Sequence, residues 1–138
     1  MHKNGYILIA EDDEDDRFLI SSAFKEVDPT QELVFVNDGV ELLDHFQKIE
    51  KKETDKLPSL LILDLNMPRK NGREALAELI YKPYFKSFTT TIFSTTSNES
   101  EKQKCIDLGV MHYFVKPTSY DQLMSIVSVF IGLSKLQK

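Results

Sequence analysis

Leu60-Leu61-Ile62-Leu63-Asp64-Leu65-Asn66-Met67-Pro68 is the stretch that decides the fold. Four bulky apolar residues without polar alternation read as a strand buried on both faces, the habit of a parallel sheet covered by helices. Leu65 to Pro68 then breaks the run, so a carboxylate, Asp64, stands where a buried strand reaches the surface. Three other strand-like segments end in polar groups: Tyr6 to Ala10 runs into Glu11-Asp12, Thr90 onward reaches Ser94, and Met111 onward reaches Lys116.

Helical patterns separate these strands. Arg17 to Val27 sets Phe18, Leu19, Ala23, Phe24 and Val27 at helical spacing, and Asp28-Pro29 stops it. Leu33 to Val36 is a further strand, followed by Asn37-Asp38-Gly39 as turn and cap and by a helix with Leu42, Leu43, Phe46 and Ile49 inward. Beyond Pro68 and Gly72 comes a helix carrying Ala75, Leu76, Leu79 and Ile80, ended by Pro83. Ser97 or Asn98 caps a fourth helix reaching Leu108, with Gly109 as its stop, and Pro117-Thr118 opens a fifth with Leu123, Val127, Phe130 and Ile131 inward.

Five strands alternating with five helices predict an α/β fold, a doubly wound five-stranded parallel sheet. With right-handed crossovers such a sheet most often takes the order 2-1-3-4-5. Ligands in such sheets bind beyond the carboxyl ends of the strands. Glu11, Asp12, Asp64, Ser94 and Lys116 all fall there.

Composition narrows the class of function. At 138 residues the chain reads as a single domain over 1–138 with no output module. No apolar stretch approaches the roughly 18 residues that cross a bilayer, and the start carries no secretion signal. The lone Cys105 has no partner for a disulfide or a metal site; it reads as a core residue and fits a reducing cytoplasm. The net charge of −5 is local, because Glu11 to Asp16 are six consecutive acids and the remainder is close to neutral. A basic face for nucleic acid is therefore not expected. Lys48, Lys51, Lys52 and Lys56, interleaved with Glu50, Glu53 and Asp55, read as a solvated helix end and loop.

Taken singly, each tip residue has an ordinary reading. Asp13 to Asp16 cap the first helix and complement its dipole, Asp64 starts a loop, Ser94 is structural, and Lys116 is a surface lysine. Their conjunction on adjacent strands points instead to one site. Crowded carboxylates raise one another's pKa unless a counter-charge is present, and all-oxygen ligation with few carboxylates suits Mg²⁺. His2, His45 and His112 lie away from any pattern that suggests zinc. Ser94 and Lys116 supply a hydroxyl and an ammonium for phosphate oxygens, so a carboxylate that attacks a phosphoryl group fits the set.

Through Ile7-Leu8-Ile9-Ala10-Glu11-Asp12-Asp13, Leu61 to Pro68 with Gly72, Ile92-Phe93-Ser94-Thr95-Thr96 and Tyr113-Phe114-Val115-Lys116-Pro117, the chain resembles the receiver domain of bacterial two-component response regulators, a flavodoxin-like fold. That resemblance implies Asp64 as phosphoacceptor, charged by a sensor histidine kinase or a histidine phosphotransfer protein. It implies Mg²⁺ held by Glu11, Asp12, Asp64 and the backbone carbonyl of Asn66. Ser94 and Lys116 would contact the phosphoryl group, Ser94 and Tyr113 would form the switch pair, and Asn66 and Thr96 would tune dephosphorylation. The Lys116–Pro117 bond is expected to be cis. Most relatives carry Thr where this chain has Ser94. The Leu65 to Glu74 and Ser94 to Glu99 stretches are similar to single-domain regulators that partner phytochrome-type kinases.

The resulting expectation is a cytoplasmic phosphorylation switch that is not an enzyme beyond its own phosphorylation and dephosphorylation. It would signal to an unknown downstream protein and would bind no nucleic acid or membrane. Homodimerisation through the fourth helix, fifth strand and fifth helix is expected, aided by Met124, Val129 and Leu133. Tyr81, Tyr84, Phe85 and Phe88 form either an apolar surface or core under a loop. The competing readings are a phosphate shuttle or sink and a Mg²⁺-dependent phosphohydrolase with Asp64 as nucleophile. The second usually needs an Asp where this chain has Asn66. A nucleotide-binding domain lacks support, since Glu11 to Arg17 contains no glycine.

Overall fold

The structure, a computed structural model, describes residues 5–52, 56–110 and 112–136. Its strands are β1 (Ile7–Ala10), β2 (Leu33–Val36), β3 (Leu60–Leu63), β4 (Thr89–Ser94) and β5 (His112–Val115). Its helices are α1 (Glu14–Val27), α2 (Gly39–Glu50), α3 (Gly72–Leu79), α4 (Glu99–Asp107) and α5 (Tyr120–Ser134), with a 3-10 turn at Phe85–Ser87. The strands form one sheet in the predicted order β2-β1-β3-β4-β5, and every pairing is parallel.

The apolar runs behave as their composition demands. Every residue of β1 and β3 is buried, and successive side chains supply opposite cores because strand side chains alternate. Ile7, Ile9, Leu60 and Ile62 join Phe24, Phe93 and Phe130 beneath α1 and α5. Leu8, Ala10, Leu61 and Leu63 join Phe46, Leu76 and Cys105 on the side of α2 to α4. Both layers close on aromatic contacts: Phe130 meets Phe93 and Phe114 edge-on, and Phe46 stacks between Tyr84 and Phe88. The cluster after Pro83 is thus mostly core; Tyr84 and Phe85 pack against the buried Phe88, and Tyr81 alone of the four is 84% exposed.

Side-chain caps set the helix starts. Asp13, Asp38, Asn71, Asn98 and Ser119 each accept a backbone N–H from the first turn that follows, and Asn71 forms a full capping box with Glu74. These caps correct two expected boundaries. α1 begins at Glu14, three residues before Arg17, because Asp13 captures the Asp16 amide and Glu14, Asp15 and Asp16 complement the helix dipole. α5 begins at Tyr120 because Ser119, two residues after Pro117, is the capping residue. Gly109, at φ +100°, ends α4 in the left-handed region. The expected start of the fifth strand, Met111, lies outside the described residues, as do Glu53, Asp55 and His2.

The inward face of α1 is narrower than periodicity suggests. Ile20, Ala23 and Phe24 are buried, whereas Phe18 is 70% exposed and Leu19 and Val27 are partly exposed. Among the described residues no helix is long and apolar enough to cross a membrane.

Gly72 ties the fold to the strand tips. A Cβ there would sit 2.1 Å from the Asp64 carbonyl oxygen, while one at Gly132 on α5 would meet nothing within 4 Å. Gly72→Ala should therefore cost about 2–3 kcal/mol by displacing the loop after β3, and Gly132→Ala should add about 0.5–1 kcal/mol through helix propensity. Urea unfolding of the two variants checks both signs.

Candidate functional site

Register brings the tips together before any side chain acts. Ala10 lies opposite Leu63, Leu63 opposite Ile92, and Ser94 opposite Val115. The ladder continues one step past the strands, with the Asp64 amide donating to the Ala10 carbonyl at 3.1 Å and the Lys116 amide to the Ser94 carbonyl at 2.9 Å. Glu11, Asp64, Ser94 and Lys116 consequently leave the sheet side by side.

Carboxylate oxygens of Glu11, Asp12 and Asp64 lie within 4.8 Å of one another. Glu11 and Asp64 are buried and Asp12 is exposed, so the cluster meets water at Asp12. The Lys116 ammonium answers this charge with three bonds: 2.5 Å to Glu11 Oε1, 2.8 Å to Asp16 Oδ2 and 3.1 Å to Asp64 Oδ2. Burial pulls that ammonium down, but the hydrogen bonds to Asp16 and Glu11 and the charge of Asp64 outweigh it and hold its pKa above the ordinary lysine range. Burial pushes the Glu11 carboxyl up to about 7 against the pull of Lys116, with the Asp64 charge adding to the rise.

A second set of contacts runs from Asp64 toward α4. The Asn66 amide donates to Asp64 Oδ1 at 3.1 Å, and the Asn66 side chain donates to Ser94 Oγ at 3.4 Å and Thr96 Oγ1 at 3.1 Å. Ser94 is fully buried, and its Oγ also accepts the Thr96 amide at 3.3 Å. The Tyr113 hydroxyl donates to the Thr96 carbonyl at 2.7 Å, and Lys102 of α4 lies 5.8 Å from the Tyr113 ring centroid. The expected switch pair is therefore joined through Thr96 rather than by direct contact.

Every tip residue singled out in the sequence joins this constellation. One expected feature does not: among the described residues no peptide bond is cis, so Lys116–Pro117 is trans. Trans is the lower-energy form of an X-Pro bond by about 0.5–1 kcal/mol, and Lys116 reaches its three carboxylates from strand geometry without the tighter turn.

Four participants escaped the sequence reading. Asp16 reaches Lys116; its place in the acidic run, three residues after the Asp13 cap, was the available signal. Arg17 donates to the Glu11 carbonyl at 2.6 Å and to Asn37 at 2.6 Å, steadying the tip of β1. Arg69, at φ +61°, pairs with the buried Asp38 at 2.7 Å, and the Gly39 amide donates to the Lys70 carbonyl at 2.7 Å, so the loop after β3 is braced on the start of α2. Burial alone would raise the Asp38 carboxyl, but the Glu41 amide and the Arg69 guanidinium hold it below the usual range. Arg73 pairs with Glu101 at 2.6 Å and links α3 to α4 beside a polar cavity of about 360 Å³ that Asn66 and Thr96 also line.

Residues 7–128 match the response regulator receiver domain family. The chain belongs to that family. It is 31% identical over 121 residues to the response regulator Rcp1 of Synechocystis sp., a match that covers 88% of this chain and 82% of Rcp1. The crystal structure of the phosphorylated cyanobacterial phytochrome response regulator RcpA aligns with a TM-score of 0.83 at 33% identity, covering 92% of this chain and 91% of RcpA. The Mn²⁺-bound form of Rcp1 gives 0.83 at 29% identity, covering 96% and 97%. This receiver domain is thus a signalling protein of the two-component type, and its five-stranded 2-1-3-4-5 sheet is the receiver fold.

The raised Glu11 pKa carries a pH dependence. A carboxyl that ionises near 7 in the fold and near its ordinary 4.5 when unfolded adds stability that is complete below about 4.5 and lost as pH rises through about 7. The same proton competes with any cation, so Mn²⁺ affinity in the receiver domain should fall below about pH 7 by up to roughly tenfold per unit. Titrating Mn²⁺ between about pH 8 and pH 6 reads this directly, and Glu11→Gln should flatten the profile.

Proposed function

We propose that this receiver domain works alone over 1–138 as a phosphorylation switch, taking a phosphoryl group on Asp64 from a phosphohistidine. The single observation that carries the reading is the Lys116 ammonium bonded to both Asp64 and Glu11 at the mouth of an acid cluster. The length of Rcp1 that the chain spans supports single-domain action. Its likeness to a phosphorylated phytochrome regulator supports a histidine kinase of the phytochrome type, or a phosphotransfer protein fed by one, as donor. Such donors expose their phosphohistidine in the cytoplasm, which is where this reading puts the protein.

The donor set fits a hard divalent cation, because it is all oxygen and its charge is concentrated on two buried acids and one exposed acid. Glu11, Asp12, Asp64 and the Asn66 carbonyl would hold Mg²⁺, and the Mn²⁺-bound form of Rcp1 supports a site of this kind. When bound, the ion neutralises charge on the phosphoryl oxygens.

The chain's own residues do the rest. An Asp64 oxygen bonds to phosphorus as the phosphorus–nitrogen bond breaks, and the imidazole leaves with the electron pair and takes a proton from water. Lys116 turns N–H bonds from the acids to the phosphoryl oxygens, and the Ser94 hydroxyl and Thr96 amide donate to them. Ser94 Oγ currently accepts from Asn66 and Thr96, so this exchange moves the segment whose carbonyl holds Tyr113. Asn66 and Thr96 tune the water that hydrolyses the adduct. The face of α4, β5 and α5 is remodelled in turn, and Ile106, Val115 and Val129, exposed on those elements, support its use by a downstream protein or a second copy.

Incubation with acetyl phosphate and Mg²⁺ should add one phosphoryl group per chain. Asp64→Asn should abolish uptake, and Lys116→Met should slow it by roughly a hundredfold. Rapid turnover of phosphate esters with no adduct overturns the reading. Sedimentation should give a dimer only after phosphorylation; monomers in both states remove the dimer.

A further inference from the structure

We propose that Asp16 is a positioning residue for phosphoryl transfer, the acid that keeps Lys116 in place when a divalent cation claims Glu11 and Asp64. The inference rests on the reading of Asp64 as phosphoacceptor beside a cation site.

An ammonium has three N–H donors, and those of Lys116 go to three different acids: Glu11, Asp16 and Asp64. Two of these, Glu11 and Asp64, belong to the cluster whose oxygens converge within 4.8 Å; Asp16 does not. A cation held by that cluster competes for the lone pairs of Glu11 and Asp64 and repels an ammonium only a few ångströms away. Asp16 is then the one acid of the three still available to the lysine. It acts as a pivot, and the two N–H groups released by Glu11 and Asp64 are free to meet phosphoryl oxygens.

The placement of Asp16 suits a fixed pivot. Its own amide is the one captured by the Asp13 cap at 2.9 Å, and its neighbour Arg17 is tied to the Glu11 carbonyl at 2.6 Å. The start of α1 is thereby anchored to the tip of β1. The Asp16 side chain is 35% exposed, against 3% for Glu11 and 7% for Asp64, so it stays in contact with water while its partner lies buried. Glu14 and Asp15 stand in the same first turn and share the dipole role, yet of the three only Asp16 bonds Lys116.

The test compares Mn²⁺ affinity, read as free Mn²⁺ by electron paramagnetic resonance, in full-length variants. Asp16→Asn should weaken binding about three- to tenfold, because the lysine then has no charged partner outside the cluster. Asp15→Asn, which removes the same charge from the same turn, should change it by less than about twofold. Asp16→Glu should restore affinity. In a Lys116→Met background the Asp16→Asn loss should shrink to the Asp15→Asn level. At saturating Mg²⁺ the rate constant for phosphoryl uptake from acetyl phosphate should fall with Asp16→Asn and recover with Asp16→Glu. Equal losses for Asp16→Asn and Asp15→Asn, or an Asp16→Asn loss that persists without Lys116, overturn the proposal. An unmodified protein that binds Mn²⁺ but takes up no phosphoryl group removes the reading of Asp64, while the affinity comparison still decides Asp16.

Discussion

The parallel register of β1, β3, β4 and β5 is the constraint on which the remainder depends. Ala10, Leu63, Ile92 and Tyr113 lie in line across four strands, and the polar tip of each strand follows within three residues: Glu11, Asp64, Ser94 and Lys116. A slip of one residue would draw Asp64 into the hydrocarbon layer or push Leu65 out of it. Burying an unpaired carboxylate costs far more than the slip could return. The same charges that make the site therefore also define where each strand must stop.

With the tips aligned, electrostatics becomes a local problem with a local solution. Glu11 and Asp64 are withdrawn from water beside Asp12, and the Lys116 ammonium is the group that offsets them. The offset is incomplete, which is why the Glu11 carboxyl rises to about 7 while the ammonium is held firmly protonated. An acid cluster with this surplus of negative charge, all of its donors oxygen, suits a divalent cation.

Around this centre the loops are held from outside. Arg69 adopts a left-handed backbone and is fixed by Asp38, the residue that also caps α2. Gly72 lets α3 start against the Asp64 carbonyl itself. On the opposite side the loop after β4 is joined to the loop after β3 through Asn66 and to β5 through the Tyr113 hydroxyl.

The sequence by itself determined the class of fold and the identity of the tip residues, because unbroken apolar runs in β1 and β3 demand burial on both faces and polar residues end them; the strand order came with the family resemblance and the structure bears it out. It also determined that Leu123, Val127, Phe130 and Ile131 face inward, since helical period alone suffices there. Tertiary structure decided what depends on distance between segments far apart in the chain. It brought Asp16 to Lys116, a contact that spans 100 residues, and Arg69 to Asp38. It turned Phe18 outward although its periodicity matched the buried residues, because the stripe that α1 can bury is set by the sheet and α5 beside it. It left Lys116–Pro117 trans, since local chemistry permits both isomers and only the surroundings choose. Periodicity reports which residues leave water; it carries no record of which partner each one meets.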